Sequence, residues 1–320
     1  MIPSSTNEFP NRSPRLAIVS TPRSGNTWVR SLLGKAVGCP SLSVHRPGDL
    51  DWDTLPAACI LQVHWRPTPE FIAQLNCYRF QVVVVSRHPL DVLISILHFA
   101  LHDNSTLYWL DGDGGDERSI RGAMPCSRAF LNYATSDRVA KLLSISRQWW
   151  RVPGVGRLRY EDLVANPAGE VSRLVRVLDM PLTTPIDAAV ADSTLSRLRA
   201  ETQCMHHFWQ GRPGLWRTLL AADVARAIAE THAGHFKALD YECDPDPLLD
   251  RRRADSLWLD LIRHELSVRL WAFVRTRHLL DVASNESRQE AGLLANAKPL
   301  YAMASSRAVR AFRGLLSASH

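Results

Sequence analysis

What the chain has little of narrows it before any motif is read. It has no run of about 18 consecutive apolar residues, so nothing in it reads as a membrane-spanning helix. Residues 1–14, rich in Pro, Ser and Asn, lack the apolar core of a secretory signal and read as a frayed leader. Cys39, Cys59, Cys77, Cys126, Cys204 and Cys243 are scattered, with no Cys-x-x-Cys and no histidine at metal-ligand spacing. That argues against the common zinc and dithiol motifs and leaves reduced, mostly buried thiols in a cytoplasmic protein as the expectation. Lysine is scarce, since nearly all of the 38 basic residues are arginine. The triphosphatase P-loop, Gly-x-x-x-x-Gly-Lys followed by Ser or Thr, is missing, and so is any internal repeat.

What is present fits one large α/β domain with an addition. A chain of 320 residues can bury a sizeable core, and 46% apolar with 22% charged residues is a globular balance. A net charge of +6 carried by arginine suits a bidentate grip on phosphate or sulfate; the plainer alternatives are a basic soluble surface or a GC-rich genome. The stretch from Leu16 to Leu33 organises the rest. Leu16 to Val19 read as a strand buried on both faces, Pro22 to Asn26 break it, and Thr27 to Gly38 follow with helical spacing. Gly25 lets the backbone approach a ligand, the helix aims unpaired N–H groups and its positive dipole end at the turn, and Arg23 and Ser24 add donors. Such a turn suits an anionic phosphate, although a purely structural turn shares its outline.

Downstream, Ser41 to Pro56 reads as a polar connection and Ala57 to His64 as a second buried strand. His64 then lies at a carboxyl strand end, where open parallel sheets bind ligands; a lone histidine is more often structural, and its position makes it a candidate. Pro69 to Asn76 reads as a short helix, and Gln81 to Ser86, the most β-branched run, as a central strand. That strand delivers Arg87, and Pro89 opens a helix through Phe99. The helix N-terminus with Arg87 and Ser95 is expected to form a second anion site, as a ligand phosphorylated at both ends requires. His102 to Pro125 reads as a mobile loop near an acceptor entrance, and its acidic run from Asp111 to Glu117 lacks calcium-loop spacing. Cys126 to Trp150 is helical, with Trp149 and Trp150 expected in the core or a cleft wall. Gly156 to Tyr160 reads as the next strand, and Pro167 to Leu178 and Asp223 to Asp240 as helices. Glu161 and Asp162 read as helix-start acids satisfying backbone donors rather than as catalytic groups.

These segments carry a resemblance. Pro22-Arg23-Ser24-Gly25-Asn26-Thr27-Trp28 resembles the 5′-phosphosulfate loop of the sulfotransferases that use 3′-phosphoadenosine-5′-phosphosulfate (PAPS). Arg87, Pro89, Asp91 and Ser95 match that family's 3′-phosphate segment, an Arg-x-Pro-x-Asp sequence with a serine following the arginine by eight residues. Gln62-Val63-His64 stands where the family has Lys-Thr-His, and Tyr160-Glu161-Asp162-Leu163 matches another family mark. Ser193-Thr194-Leu195 loosely matches an adenine-side motif, and Gly211 to Arg217 resembles a Gly-x-x-Gly-x-Trp-Lys loop. The Arg-Lys pair that leads this loop is replaced by Trp209 and Gln210, which removes part of the family's 3′-phosphate grip; Arg212 is the candidate substitute.

The resemblance spans residues 15–243 and implies an α/β, P-loop-like three-layer fold with a central parallel sheet flanked by helices. A helical C-terminal extension over residues 244–320 lies outside it. By resemblance His64 is the general base and Arg23 stabilises the leaving oxygen. Arg23, Ser24, Gly25, Asn26 and Thr27 hold the 5′-phosphate end, Arg87 and Ser95 the 3′-phosphate, and Trp28 and Tyr160 the adenine, with Ser193, Gly211 and Arg212 completing the donor site. No metal is implied. The expected reaction, in a bacterial member of the family, is in-line sulfuryl transfer from PAPS to a hydroxyl or amine of a small-molecule, glycan or glycolipid acceptor, with no nucleic-acid partner. Leu257 to Leu280 and Ala302 to Leu316 read as amphipathic helices for packing, oligomerisation or contact with a membrane surface. Two alternatives stand beside this: a small-molecule kinase on a P-loop-type fold, and a catalytically inactive nucleotide-binding relative.

Overall fold

A computed structural model describes residues 14–102, 106, 109, 117–202 and 207–263. The chain runs β1 (Arg15–Val19), α1 (Asn26–Val37), β2 (Ser41–Val44), β3 (Cys59–Val63), α2 (Pro69–Cys77), β4 (Gln81–Ser86) and α3 (Pro89–Ala100). Then follow α4 (Arg128–Ala134), α5 (Asp137–Trp150), β5 (Gly156–Arg159), α6 (Tyr160–Ala165), α7 (Pro167–Val177), α8 (Ile186–Asp192) and α9 (Leu195–Thr202). The described elements close with α10 (Trp216–Leu219), α11 (Ala222–Thr231) and α12 (Ala233–Leu239), and residues 251–263 are helical.

The five strands form one parallel sheet in the order β2-β3-β1-β4-β5. β1 and β3 are buried on both faces, which is why they read as largely apolar runs, with Gln62 the one polar residue inside β3. Side chains alternate between two cores. Leu16, Ile18, Ile60, Val83 and Val85 pack with residues of α1 and α7 such as Leu32 and Leu174. Ala17, Val19, Leu61, Val63 and Val84 pack on the other face with residues of α3, α5 and α11. This is the three-layer, P-loop-like α/β architecture. β2 lies in what the sequence presents as a connection; Ser41 and Ser43 interrupt Leu42 and Val44, as suits an edge strand whose residues alternate between exposed and half-buried.

Other boundaries move for local reasons. Tyr160 starts α6 rather than ending the strand. The expected helix from Asp223 to Asp240 is two helices, α11 and α12, divided at His232, whose imidazole Nε2 is 2.7 Å from the Ala134 carbonyl. Trp149 is buried against Phe71 and donates its indole N–H to the Trp65 carbonyl at 2.8 Å, a core position. Of the five described cysteines, all free, only Cys59 and Cys126 are buried; Cys77 is exposed.

The first part of the C-terminal extension shares the main core. Leu249, Ala254, Trp258 and Ile262 are buried in it, and Asp255 Oδ1 accepts the Cys126 N–H at 3.0 Å. The leader up to residue 13, the amphipathic stretch beyond residue 263, the segment from Ala302 to Leu316, Cys204 and the acidic run 111–116 lie outside the described residues.

Candidate active site

Because all five strands point the same way, their carboxyl ends share one edge, and the segments leaving β1, β3, β4 and β5 meet there. They enclose a cleft of about 640 Å³. Arg23, Gly25, Asn26, Thr27, Trp28, His64, Arg87, Ser95, Tyr160, Ser193 and Gly211 all line it. Two residues singled out in the sequence do not. The Ser24 hydroxyl is buried behind the turn, where it shares a void of about 10 Å³ with Arg87 and His235, because the backbone on either side of it is wound left-handed. Arg212 is exposed and is not among the residues that line the cleft, although its neighbours Gln210 and Gly211 are.

The turn is built around Gly25. Its φ of 97° is left-handed, and a Cβ there would lie 2.5 Å from Tyr160 Cδ2. Gly25 caps α1 with no side-chain hydrogen bond, and no acid stands in the first turn, so the first N–H groups of α1 remain uncapped at the cleft. Arg23, itself at φ 69°, donates from Nε to Ser95 Oγ at 3.1 Å and from Nη2 to the His207 carbonyl at 3.1 Å. Its guanidinium lies 4.5 Å from the Phe99 ring centroid.

Arg87 is fixed on two sides and open on a third. Nη1 donates to the Arg23 carbonyl at 3.0 Å and the guanidinium lies 4.5 Å from the Tyr160 ring centroid, while Nε is buried with no partner. The Tyr160 hydroxyl donates to the Gly211 carbonyl at 2.8 Å, and its ring meets Trp28 edge-on at 5.9 Å. Ser193 Oγ is likewise buried without a partner in the cleft wall. Orphaned donors are rare in folded proteins and mark where a ligand or water completes the bonding. Arg87 Nε, Ser193 Oγ and the uncapped α1 terminus are therefore fitted to an anionic, hydrogen-bonding ligand.

The N-terminus of α3, which the sequence suggests as part of a second anion site, is capped by protein groups. Glu161 Oε1 accepts the His88 N–H at 2.9 Å, and His88 Nδ1 accepts the Leu90 N–H at 3.2 Å. Every residue of α3 is buried. What α3 gives the cleft is a side face: Asp91, Ser95 and Phe99, four residues apart. Glu161 also accepts from the Tyr241 hydroxyl at 2.8 Å, so its role is structural.

His64 sits just past β3. Nδ1 is 2.9 Å from the Ser20 carbonyl, which can only accept, so Nδ1 carries the proton and Nε2 presents a lone pair. Burial pushes the imidazole pKa down to about 4; the Ser20 bond opposes this, while His45, His207 and Arg23 add to it. His64 is thus neutral at ordinary pH, with its Nε2 lone pair on the cleft side available as an acceptor. Gln62 Nε2 lies 3.4 Å from that lone pair.

Several contacts around the cleft have no clear sequence signal, even where the sequence singles out the residues themselves. Asp91 clamps the Gly211–Trp216 loop, accepting from the Gly214 N–H at 2.6 Å and the Trp216 N–H at 3.0 Å. Phe99 stacks on Trp109 at 5.7 Å and meets His207 edge-on at 5.2 Å, making an aromatic wall. The four-residue spacing Arg87, Asp91, Ser95, Phe99 is the one periodicity that marks Phe99. Trp209, standing for a family arginine, is buried and stacked on His98 at 4.1 Å and against Trp258 at 5.7 Å. Gln210 lines the cleft as a neutral amide.

Fold and site together define a parallel α/β protein with an uncapped helix terminus, two arginines and a neutral histidine around one crevice. The sequence matches the sulfotransferase domain family over residues 13–238, and the chain belongs to that family. Mouse sulfotransferase SULT7A1 complexed with PAP has a TM-score of 0.54 at 14% identity, covering 72% of this chain and 86% of that one. Retinol dehydratase in complex with androsterone and inactive cofactor PAP has a TM-score of 0.48 at 14% identity, over 73% and 83%. At this identity the likeness to the mouse protein is one of fold. Among the described residues, no three His, Cys, Asp or Glu side chains cluster as metal ligands do, and no helix is long and apolar enough to cross a membrane.

Proposed function

We propose that the chain transfers the sulfuryl group of PAPS to a hydroxyl or amine of a small-molecule or glycan acceptor. The observation that carries this is the meeting, in one cleft, of the uncapped α1 terminus and Arg23 with His64, whose proton is held on Nδ1 and whose Nε2 can accept. Sulfuryl transfer resembles phosphoryl transfer in being catalysed by positioning and by stabilising charge on the leaving oxygen. In this reading the α1 N–H groups and Arg23 neutralise the 5′-phosphate end, and Arg87 Nε and Ser95 hold the 3′-phosphate. Trp28 and Tyr160 flank the base, with Ser193 beside them. His64 Nε2 takes the acceptor's proton as its oxygen or nitrogen attacks sulfur. The leaving oxygen departs with the 3′,5′-bisphosphate.

The core-packed Trp209 and the neutral Gln210 favour a second reading, a relative that binds nucleotide without turnover. Calorimetric titration with adenosine 3′,5′-bisphosphate, 5′-AMP and ATP decides the donor site. We expect the bisphosphate to bind at least tenfold more tightly than 5′-AMP, and Arg87→Ala to abolish that preference. Equal affinities, or tighter magnesium-dependent ATP binding, overturn the reading. Bisphosphate binding without transfer from PAPS across a broad acceptor panel selects the inactive relative.

A further inference from the structure

We infer that Gln62 is a gate on the base: its carboxamide occupies the lone pair of His64 in the resting enzyme and so keeps water from being activated until an acceptor displaces it. This rests on the reading of His64 as the base of sulfuryl transfer. Four observations carry it. His64 Nδ1–H is committed to the Ser20 carbonyl at 2.9 Å, so Nε2 is the only nitrogen that can receive a proton. Gln62 Nε2 is 3.4 Å from that atom; an imidazole lone pair calls for a donor, so the amide must present its NH₂ and not its oxygen. Gln62 is 5% exposed and lines the same cleft as His64, so the amide stands beside the base at the edge of the space an acceptor enters. Finally, Gln62 Oε1 is buried with no partner. A buried carbonyl oxygen left unpaired is costly, and a 3.4 Å contact is long for a hydrogen bond, so the amide is held weakly in this position.

The chemistry at stake is defined. A water bonded to His64 Nε2 would attack sulfur, forming a new S–O bond while the bond from sulfur to the 5′-phosphate oxygen breaks. The electron pair leaves on that oxygen, the water proton passes to Nε2, and sulfate and the 3′,5′-bisphosphate result. An acceptor hydroxyl lodged against the aromatic wall has binding energy with which to push the amide aside. A single water has none. Gln62 is accordingly a positioning residue that acts through His64.

The test compares wild type with Gln62→Leu, which keeps the volume and loses the amide, and with Gln62→Leu/His64→Ala. Sulfate release from PAPS is followed without acceptor. Losing one neutral hydrogen bond predicts about a three- to tenfold rise in acceptor-independent hydrolysis for Gln62→Leu. The rise should vanish in the double variant and follow the protonation of His64 with pH. Bisphosphate binding by calorimetry checks that each variant is folded, and Gln62→Met replaces Gln62→Leu if that variant is not. Unchanged or slower hydrolysis in a folded variant overturns the gate, as does a rise that persists without His64. Wild type that neither binds the bisphosphate nor turns over PAPS fails the transfer reading itself, a different outcome.

Discussion

At the scale of single residues, the state of His64 sets the sharpest expectations. Its folded pKa is depressed, so the neutral form that accepts a proton persists from pH 8 down past the ordinary histidine range. Activity should be lost only as the pH falls through about 4, not through 6.5. Because kcat/KM reports the free enzyme, its pH profile is the measurement, and an acidic limb centred near 6.5 would contradict the burial argument. Replacing His64 by Ala should lower kcat by about 10²- to 10⁴-fold while leaving bisphosphate affinity nearly unchanged. Gly25 gives a second expectation. A side chain there meets both a left-handed φ and the Tyr160 ring, so Gly25→Ala should cost about 1–3 kcal/mol of unfolding free energy, read from urea unfolding, and weaken bisphosphate binding. A variant as stable as wild type would sink it.

At the scale of elements, much of the architecture is legible in the sequence, for a simple reason. Interior strands of a parallel sheet are buried on both faces, so β1, β3 and β4 show as mostly apolar runs, and the residues just after them fall at the cleft. Arg23, His64 and Arg87 are found that way. β2 is not, because an edge strand with alternating serines reads as a loop. Side-chain placement is not legible either: the Ser24 hydroxyl is buried, Arg212 is exposed, and the acid that clamps the Gly211–Trp216 loop comes from α3, more than 120 residues earlier in the chain. That clamp is testable. Asp91→Ala leaves the Gly214 and Trp216 N–H groups without their charged acceptor, each bond being worth about 1.5–3 kcal/mol. Since Gly211 also receives the Tyr160 hydroxyl, we expect bisphosphate affinity to fall about tenfold, equivalent to about 1.4 kcal/mol. Unaltered affinity would show that the loop holds its place without Asp91.

At the scale of the whole molecule, the buried histidines make stability a function of pH. His235 is 6% exposed and burial pushes its pKa down to about 4, aided by Arg147 and His232; burial also lowers His64, His88 and His232. Each is held neutral in the fold and free to charge in the unfolded chain, so the unfolded state binds more protons below pH 6.5. Stability is therefore fully present above 6.5 and is lost as the pH falls toward 4. The surface carboxylate Asp223, lowered by its bond to Arg251, acts with the same sign at lower pH. Urea unfolding at pH 7.5 and 5.0 reads the sum. We expect a clear drop in midpoint at pH 5.0, and His235→Phe, apolar and too bulky to be neutral at pH 7.5, should show a smaller drop between the two. Equal midpoints for the wild type at both pH values would mean that these rings charge freely in the fold, and the neutral state of His64 that the proposed base role requires would lose its physical basis as well.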